Sequence, residues 1–269
     1  MTTNNNGQKI SILGLGQMGR KLAALYAEAG FEVIVWNRTP RSVELHPSVR
    51  HAKSAAEAFE QSVISMICVS TNDAVVDVLN ALHHSRSTGK ILINFTTGSP
   101  GEVRGIESML NEFGVGYLNG AIQVAPDQMG LPDTTILMAG SKLVFEETKD
   151  MLTILGGNII FLSENASASP AMDMATLSWV QASYLGMIYG VALCEKEGIK
   201  LEDYSRIIAD IAPNFVDLSF FLSQFLQATA SCSTWPCRAR SSHEPKPVQG
   251  LHPDAHAQNS ARKNLPQAT

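Results

Sequence analysis

Residues Lys9 to Thr39 constrain the fold of this chain more than any other stretch. The apolar run Ile10-Ser11-Ile12-Leu13 leads directly into Gly14-Leu15-Gly16-Gln17-Met18-Gly19. A helical stretch from Met18 to Ala29 follows, then Gly30 and a second apolar run, Val33-Ile34-Val35-Trp36. Strand, glycine turn, helix and strand in that order make a unit that binds a dinucleotide. Gly14 permits the tight turn, Gly16 lets backbone N–H groups approach a pyrophosphate, and Gly19 lets the helix pack on the strand. The positive end of the helix then attracts the pyrophosphate. Leu15, Gln17 and Met18 complete the loop and are candidate cofactor-binding residues with the three glycines.

The end of the second strand selects the cofactor. An Asp or Glu there would hydrogen-bond the ribose 2′-OH of NAD and repel a 2′-phosphate. The position holds Asn37, followed by Arg38, Thr39 and, close behind, Arg41. A guanidinium pairs with phosphate through two parallel hydrogen bonds. The expected cofactor is therefore NADP(H), read by Asn37, Arg38 and Thr39.

A net charge of −5 gives no electrostatic case for nucleic acid or for an anionic membrane surface. The first residues carry no basic-plus-apolar signal pattern, and no apolar run is expected to reach membrane-spanning length. Cys68, Cys194, Cys232 and Cys237 lack metal-ligand spacing, so no metal is expected. A cytoplasmic location follows as the default.

The chain reads in three parts. Residues 1–165 form an NADP-binding, Rossmann-type doubly wound α/β domain. Its further strands are the continuous apolar runs Val63–Val69 and Ile91–Phe95, with others near Gly116–Leu118, Thr135–Met138 and Ile159–Leu162. Such runs suit parallel strands buried on both faces. Helices are expected over Ser54–Gln61, Ala74–Leu82, Glu102–Phe113 and Lys142–Leu155. Residues 166–229 carry only helical spacing, over Pro170–Gly198 and from Leu201 to about Thr229, with a break expected near Pro213. They suggest an incomplete all-helical dimerisation and substrate domain. Residues 230–269, with five prolines and almost no large aliphatic side chains, read as a disordered tail resembling an out-of-frame translation.

Several segments together resemble the imine reductases and reductive aminases, a branch of the β-hydroxyacid dehydrogenase and 6-phosphogluconate dehydrogenase superfamily. They are Gly14–Gly19, Val35–Thr39, Cys68–Val75, Asn94–Pro100, Gly120–Pro126 and Ser169–Ala175, in family order. The resemblance implies that Val69 and Ser70 lie beside the ribose and nicotinamide, and that Asn94 and Thr96 contact the nicotinamide side.

The resemblance makes Asp173 the candidate catalytic residue. Hydroxyacid dehydrogenases of the superfamily carry a lysine on the long helix, and that cation suits a carbonyl that becomes an alkoxide. They also carry a Ser-Gly-Gly-like loop that grips the substrate carboxylate. Here Asp173 and Gly120-Ala121-Ile122 stand at those places. A carboxylate instead stabilises an iminium cation or delivers a proton to an imine nitrogen. Leu177, Val180, Gln181 and Tyr184 share a helix face with Asp173 and would line a substrate pocket. Gln181 stands where reductive aminases place a tyrosine. The expected function is NADPH-dependent reduction of a C=N substrate by a homodimer. The alternatives are a hydroxyacid-type carbonyl reductase and a catalytically impaired NADP-binding protein.

Overall fold

The structure, a computed structural model, describes residues 7–39, 46–82 and 88–216, with side chains through residue 212. The chain divides into two compact units, residues 1–189 and 190–269.

The first unit holds an eight-stranded sheet in the order β3-β2-β1-β4-β5-β6-β7-β8. The strands are β1 (Lys9–Leu13), β2 (Glu32–Trp36), β3 (Val49–His51), β4 (Ile64–Ile67), β5 (Ile91–Asn94), β6 (Gly116–Ile122), β7 (Thr135–Gly140) and β8 (Asn158–Ser163). The helices are α1 (Gln17–Glu28), α2 (Ala55–Glu60), α3 (Asn72–Ala81), α4 (Pro100–Glu112), α5 (Lys142–Leu152) and α6 (Ala168–Lys196), which runs on into the second unit. β1 to β6 are mutually parallel, whereas β7 pairs antiparallel with β6 and parallel with β8. The Rossmann-type, doubly wound class is thus the observed one, extended by a reversed strand pair.

Alternation along the strands explains why the runs are apolar throughout. Ile10 and Ile12 of β1 join a core with Leu22 and Tyr26 of α1 and with Phe145 and Met151 of α5. Leu13, Ile67 and Leu92 point the other way, into a core with Phe59, Leu79 and Ile106 from α2, α3 and α4. Helices cover both faces, so both sets of side chains must be apolar. Full burial of each such side chain contributes about 1.5–3 kcal/mol. Ser11, buried mid-strand, is satisfied by the hydroxyls of Ser65 at 2.7 Å and Ser62 at 2.9 Å.

Three features differ from the sequence expectation. β3 is an exposed edge strand with no apolar run. β6 continues through Asn119, Gly120 and Ala121 to Ile122. In the second unit, α7 (Leu201–Val216) runs unbroken through Pro213. That proline sits in the last described turn, where its missing N–H costs one intrahelical bond. The last turns of α6 meet α7 through the turn at Gly198 (φ 70°), where the Ile199 N–H donates to the Cys194 carbonyl at 2.8 Å. The helix expected from 217 to about Thr229, the tail at 230–269 and Arg41 lie outside the described residues.

α6 also corrects the expectation about apolar runs. It spans 29 residues with a mean hydropathy of 1.3 over an 18-residue window, enough by length and composition to cross a membrane. Its first turns are instead hydrogen-bonded to the sheet, as the site shows.

Candidate cofactor cleft and active site

The site begins where β1 ends between its two neighbours. The Gly14 N–H donates to the Trp36 carbonyl at 2.8 Å, and the Cys68 N–H donates to the Leu13 carbonyl at 2.9 Å. Sheet order reverses at β1, with β2 on one side and β4 on the other. Open α/β sheets bind ligands in the crevice at such a switch point. The glycine turn there is sterically fixed. Gly14 has φ 107°, and a Cβ on it would strike the Cys68 carbonyl oxygen. A Cβ on Gly19 would strike the Gly14 carbonyl, while one on Gly16 would meet open space.

A cleft of about 810 Å³ opens over this turn. It is lined by Gly14, Gly16, Gln17, Met18 and Gly19 from the turn, by Asn37, Arg38 and Thr39 after β2, and by Val69 and Ser70 after β4. Leu15, expected to bind the cofactor, does not line the cleft. Its side chain is buried, and its N–H donates to Asn37 Oδ1 at 2.9 Å. Asn37 Nδ2 in turn donates to the Thr39 carbonyl at 2.7 Å. Asn37 therefore ties the glycine turn to the end of β2 and leaves the exposed Arg38 side chain available.

The residues fit a dinucleotide. Helices α2, α3, α4 and α5 are capped by the hydroxyls of Ser54, Thr71, Ser99 and Ser141. α1 starts at Gly16 with no side-chain cap. Its leading N–H groups open on the cleft, where a pyrophosphate could accept from them.

A second cavity, about 290 Å³, continues from the first past Met18, Cys68, Val69 and Ser70. Thr96, Thr97 and Gly98 form one part of its lining, Asn119, Gly120, Ala121 and Ile122 another, and Pro170 and Asp173 a third. Thr96 Oγ1 accepts from the Val69 N–H at 3.1 Å and so joins the ends of β4 and β5. Burial pushes the Cys68 thiol up to about 11, which leaves it protonated and inert near neutrality.

Asn94 departs from its expected place. It is fully buried and lines neither cavity. Its Oδ1 accepts from the Thr96 N–H at 2.9 Å, and its Nδ2 donates to Asn72 Oδ1 and Tyr117 Oη, each at 3.3 Å. Its amide is occupied by internal bonds, and through the Thr96 N–H it holds a residue that lines the smaller cavity.

From Asn94 a buried chain of hydrogen bonds reaches α6. Tyr117 Oη donates to Asn119 Oδ1 at 3.1 Å, and Asn119 Nδ2 donates to Ser169 Oγ at 2.7 Å. Burial pushes the Tyr117 phenol up, so it stays a neutral donor. One turn further along α6, Gln123 Nε2 donates to Asp173 Oδ1 at 2.7 Å. Thr176 Oγ1 donates to Gln123 Oε1 at 3.0 Å, which matches that amide orientation, since a carboxylate can only accept. Asp173 Oδ2 has no partner among the described residues.

Among the described residues Asp173 is the only charged side chain lining the smaller cavity. Leu177, Val180, Gln181 and Tyr184 follow it along α6 but line neither cavity. Tyr184 is 59% exposed and Leu177 46%. Sequence reasoning missed Gln123, a lone amide just past a strand, and Lys53, which lines the larger cleft. Among the described residues no cluster of three or more metal-ligating side chains forms.

Fold, switch-point cleft and uncapped α1 define a dinucleotide-binding domain. Residues 9–163 match the NAD binding domain of 6-phosphogluconate dehydrogenase, and the chain belongs to that family. It is 32% identical over 188 residues to an NADPH-dependent reductive aminase from Aspergillus oryzae, covering 68% of this chain and 63% of that protein. It is 26% identical over 230 residues to the cytokine-like nuclear factor N-PAC of Xenopus tropicalis, covering 82% of this chain and 41% of that protein. Among solved structures, an imine reductase from Myxococcus stipitatus in complex with NADP+ superposes with a TM-score of 0.71 at 27% identity, covering 82% of this chain and 78% of that one. The chain thus spans less than two thirds of the length of these two curated relatives.

Proposed function

We propose that this protein is an NADPH-dependent reductase of C=N bonds, similar in chemistry to the imine reductases. The observation that carries this reading is the charge of the smaller cavity. Among the described residues its lining holds one carboxylate, Asp173, and no cation. Carbonyl reduction develops an alkoxide, which a neighbouring carboxylate destabilises. An iminium carries positive charge, which the same carboxylate stabilises. The likeness to the reductive aminase and to the imine reductase structure supports the same chemistry.

In this reading the glycine turn and α1 hold the pyrophosphate, Arg38 meets the 2′-phosphate, and Val69, Ser70 and Thr96 flank the nicotinamide end. The bound cofactor supplies the hydride to the substrate carbon. Gln123 fixes Asp173 Oδ1 and leaves Oδ2 to face the substrate nitrogen. There, as a carboxylate, it stabilises an iminium; as a carboxylic acid it passes its proton to an imine nitrogen and is left as the carboxylate. Leu177, Val180, Gln181 and Tyr184 form the outer pocket wall when a second copy covers α6. The domain division is then 1–165 for the cofactor and 166–229 for substrate and dimer contacts, in a cytoplasmic enzyme.

NADPH consumption with a cyclic imine, with a small keto acid and with neither tests the proposal. Consumption dependent on the imine alone is expected. Consumption dependent on the keto acid would favour the carbonyl reductase, and none with either would favour a cofactor-binding protein.

A further inference from the structure

The edge strand β3 places a second cation beside the first. It pairs parallel with β2, with Val35 opposite His51, and the Ala52 N–H still donates to the Val35 carbonyl at 2.9 Å. Two residues beyond that pair on each strand stand Asn37 and Lys53, at the carboxyl ends where ligands bind. Lys53 lines the same cleft as Arg38 and Thr39.

The backbone at Lys53 is fixed. Its N–H donates to Glu57 Oε2 at 2.7 Å, and the Glu57 N–H donates to Ser54 Oγ at 3.0 Å. Glu57 Oε1 accepts from Gln61 Nε2 at 3.2 Å. The nearest carboxylate in sequence is thus engaged with backbone and amide donors and not with the Lys53 ammonium. Among the described residues neither Arg38 nor Lys53 has a side-chain hydrogen bond or ion pair. Among the described residues the cleft lining contains one acid, Asp77, and it belongs to α3. Two cations lining one cleft, neither with a side-chain partner among the described residues, favour a bound dianion.

We propose that Lys53 is a second specificity-determining residue, reading the adenosine 2′-phosphate together with Arg38. This rests on the NADPH reading above and adds a contact from the β3–α2 turn. Arg38 supplies a planar fork, while Lys53 supplies a compact charge that needs no fixed orientation.

The test is fluorescence titration of the full chain with NADPH and NADH, and competition by 2′,5′-ADP against 5′-ADP. Lys53→Ala is expected to weaken NADPH and 2′,5′-ADP about threefold to tenfold, with NADH and 5′-ADP nearly unchanged. Lys53→Arg should keep the preference, and the combined Arg38→Ala and Lys53→Ala variant should lose it. Raising the salt concentration should narrow the wild-type preference and leave that of Lys53→Ala less affected. Full retention of the wild-type preference in Lys53→Ala would overturn the role of Lys53 and leave the NADPH reading standing. Equal wild-type affinity for NADPH and NADH would overturn both.

Discussion

The sheet of residues 9–163 and the helix α6 are about equally apolar, yet they treat their apolar side chains in opposite ways. Ile12, Val35, Ile67 and Leu92 are shut between two layers of helix. On α6, Leu185 and Tyr189 are 70% and 71% exposed. The sheet satisfies its hydrophobic needs within one chain, and the cofactor cleft is made wholly from it. α6 begins inside the fold, held by Asn119–Ser169 and Gln123–Asp173, and then runs on with its apolar side chains exposed among the described residues. The difference separates two functions. In the proposed reading, cofactor binding needs only the sheet unit, whereas a closed substrate pocket needs something laid against α6. In that reading the apolar side chains exposed on α6 serve as an association surface.

That division can be broken at several points. The largest effect is expected at Asp173, where the two regions meet. Asp173→Asn should lower imine turnover by about 10²–10⁴-fold, as for loss of an acid–base group, while NADPH affinity holds. A parallel loss of NADPH binding would show that the regions are not separable. Next, Leu92→Ala should destabilise the sheet unit by about 2–5 kcal/mol in urea denaturation, because it empties a fully buried position. A neutral result would mean that the core is not closed there. Gly19→Ala comes third. Its Cβ collides with the Gly14 carbonyl, and the resulting strain, about 1–3 kcal/mol, should weaken NADPH and NADH alike. The smallest effect belongs to α6. Leu185→Gln should change stability by less than about 0.5 kcal/mol in dilute, unassociated protein. The same substitution should reduce self-association in light scattering at high concentration. A loss of several kcal/mol in the dilute monomer would show that α6 is already covered.

The readable parts of the sequence were those where local chemistry forces one geometry. Gly14 and Gly19 admit no side chain, so the turn and the strand and helix around it could be placed from residues alone. The runs at β4 and β5 announced burial on both faces. Strand direction leaves no such mark, so the reversal of β7 was not legible. β3 escaped because Val49-Arg50-His51 has neither an apolar run nor alternation, and Lys53 was hidden with it. Gln123 and Asn94 show the same limit in the site. An amide hydrogen-bonds almost anything, and only the fold shows that one orients Asp173 while the other holds Thr96. The helical spacing that grouped Leu177, Val180, Gln181 and Tyr184 with Asp173 was readable, but what faces them beyond Asp173 depends on tertiary contacts.

The most direct test follows the hydride itself. The full chain is mixed with NADPH carrying deuterium at either position of C4 and with a cyclic imine, under single-turnover conditions, and the amine is examined by mass spectrometry. One deuterium on the former C=N carbon, delivered from one of the two labelled cofactors and strongly reduced in Asp173→Asn, is the predicted result. Deuterium appearing only in the alcohol of a competing keto acid, or equal transfer by Asp173→Asn, would contradict a site whose carboxylate serves a cationic nitrogen.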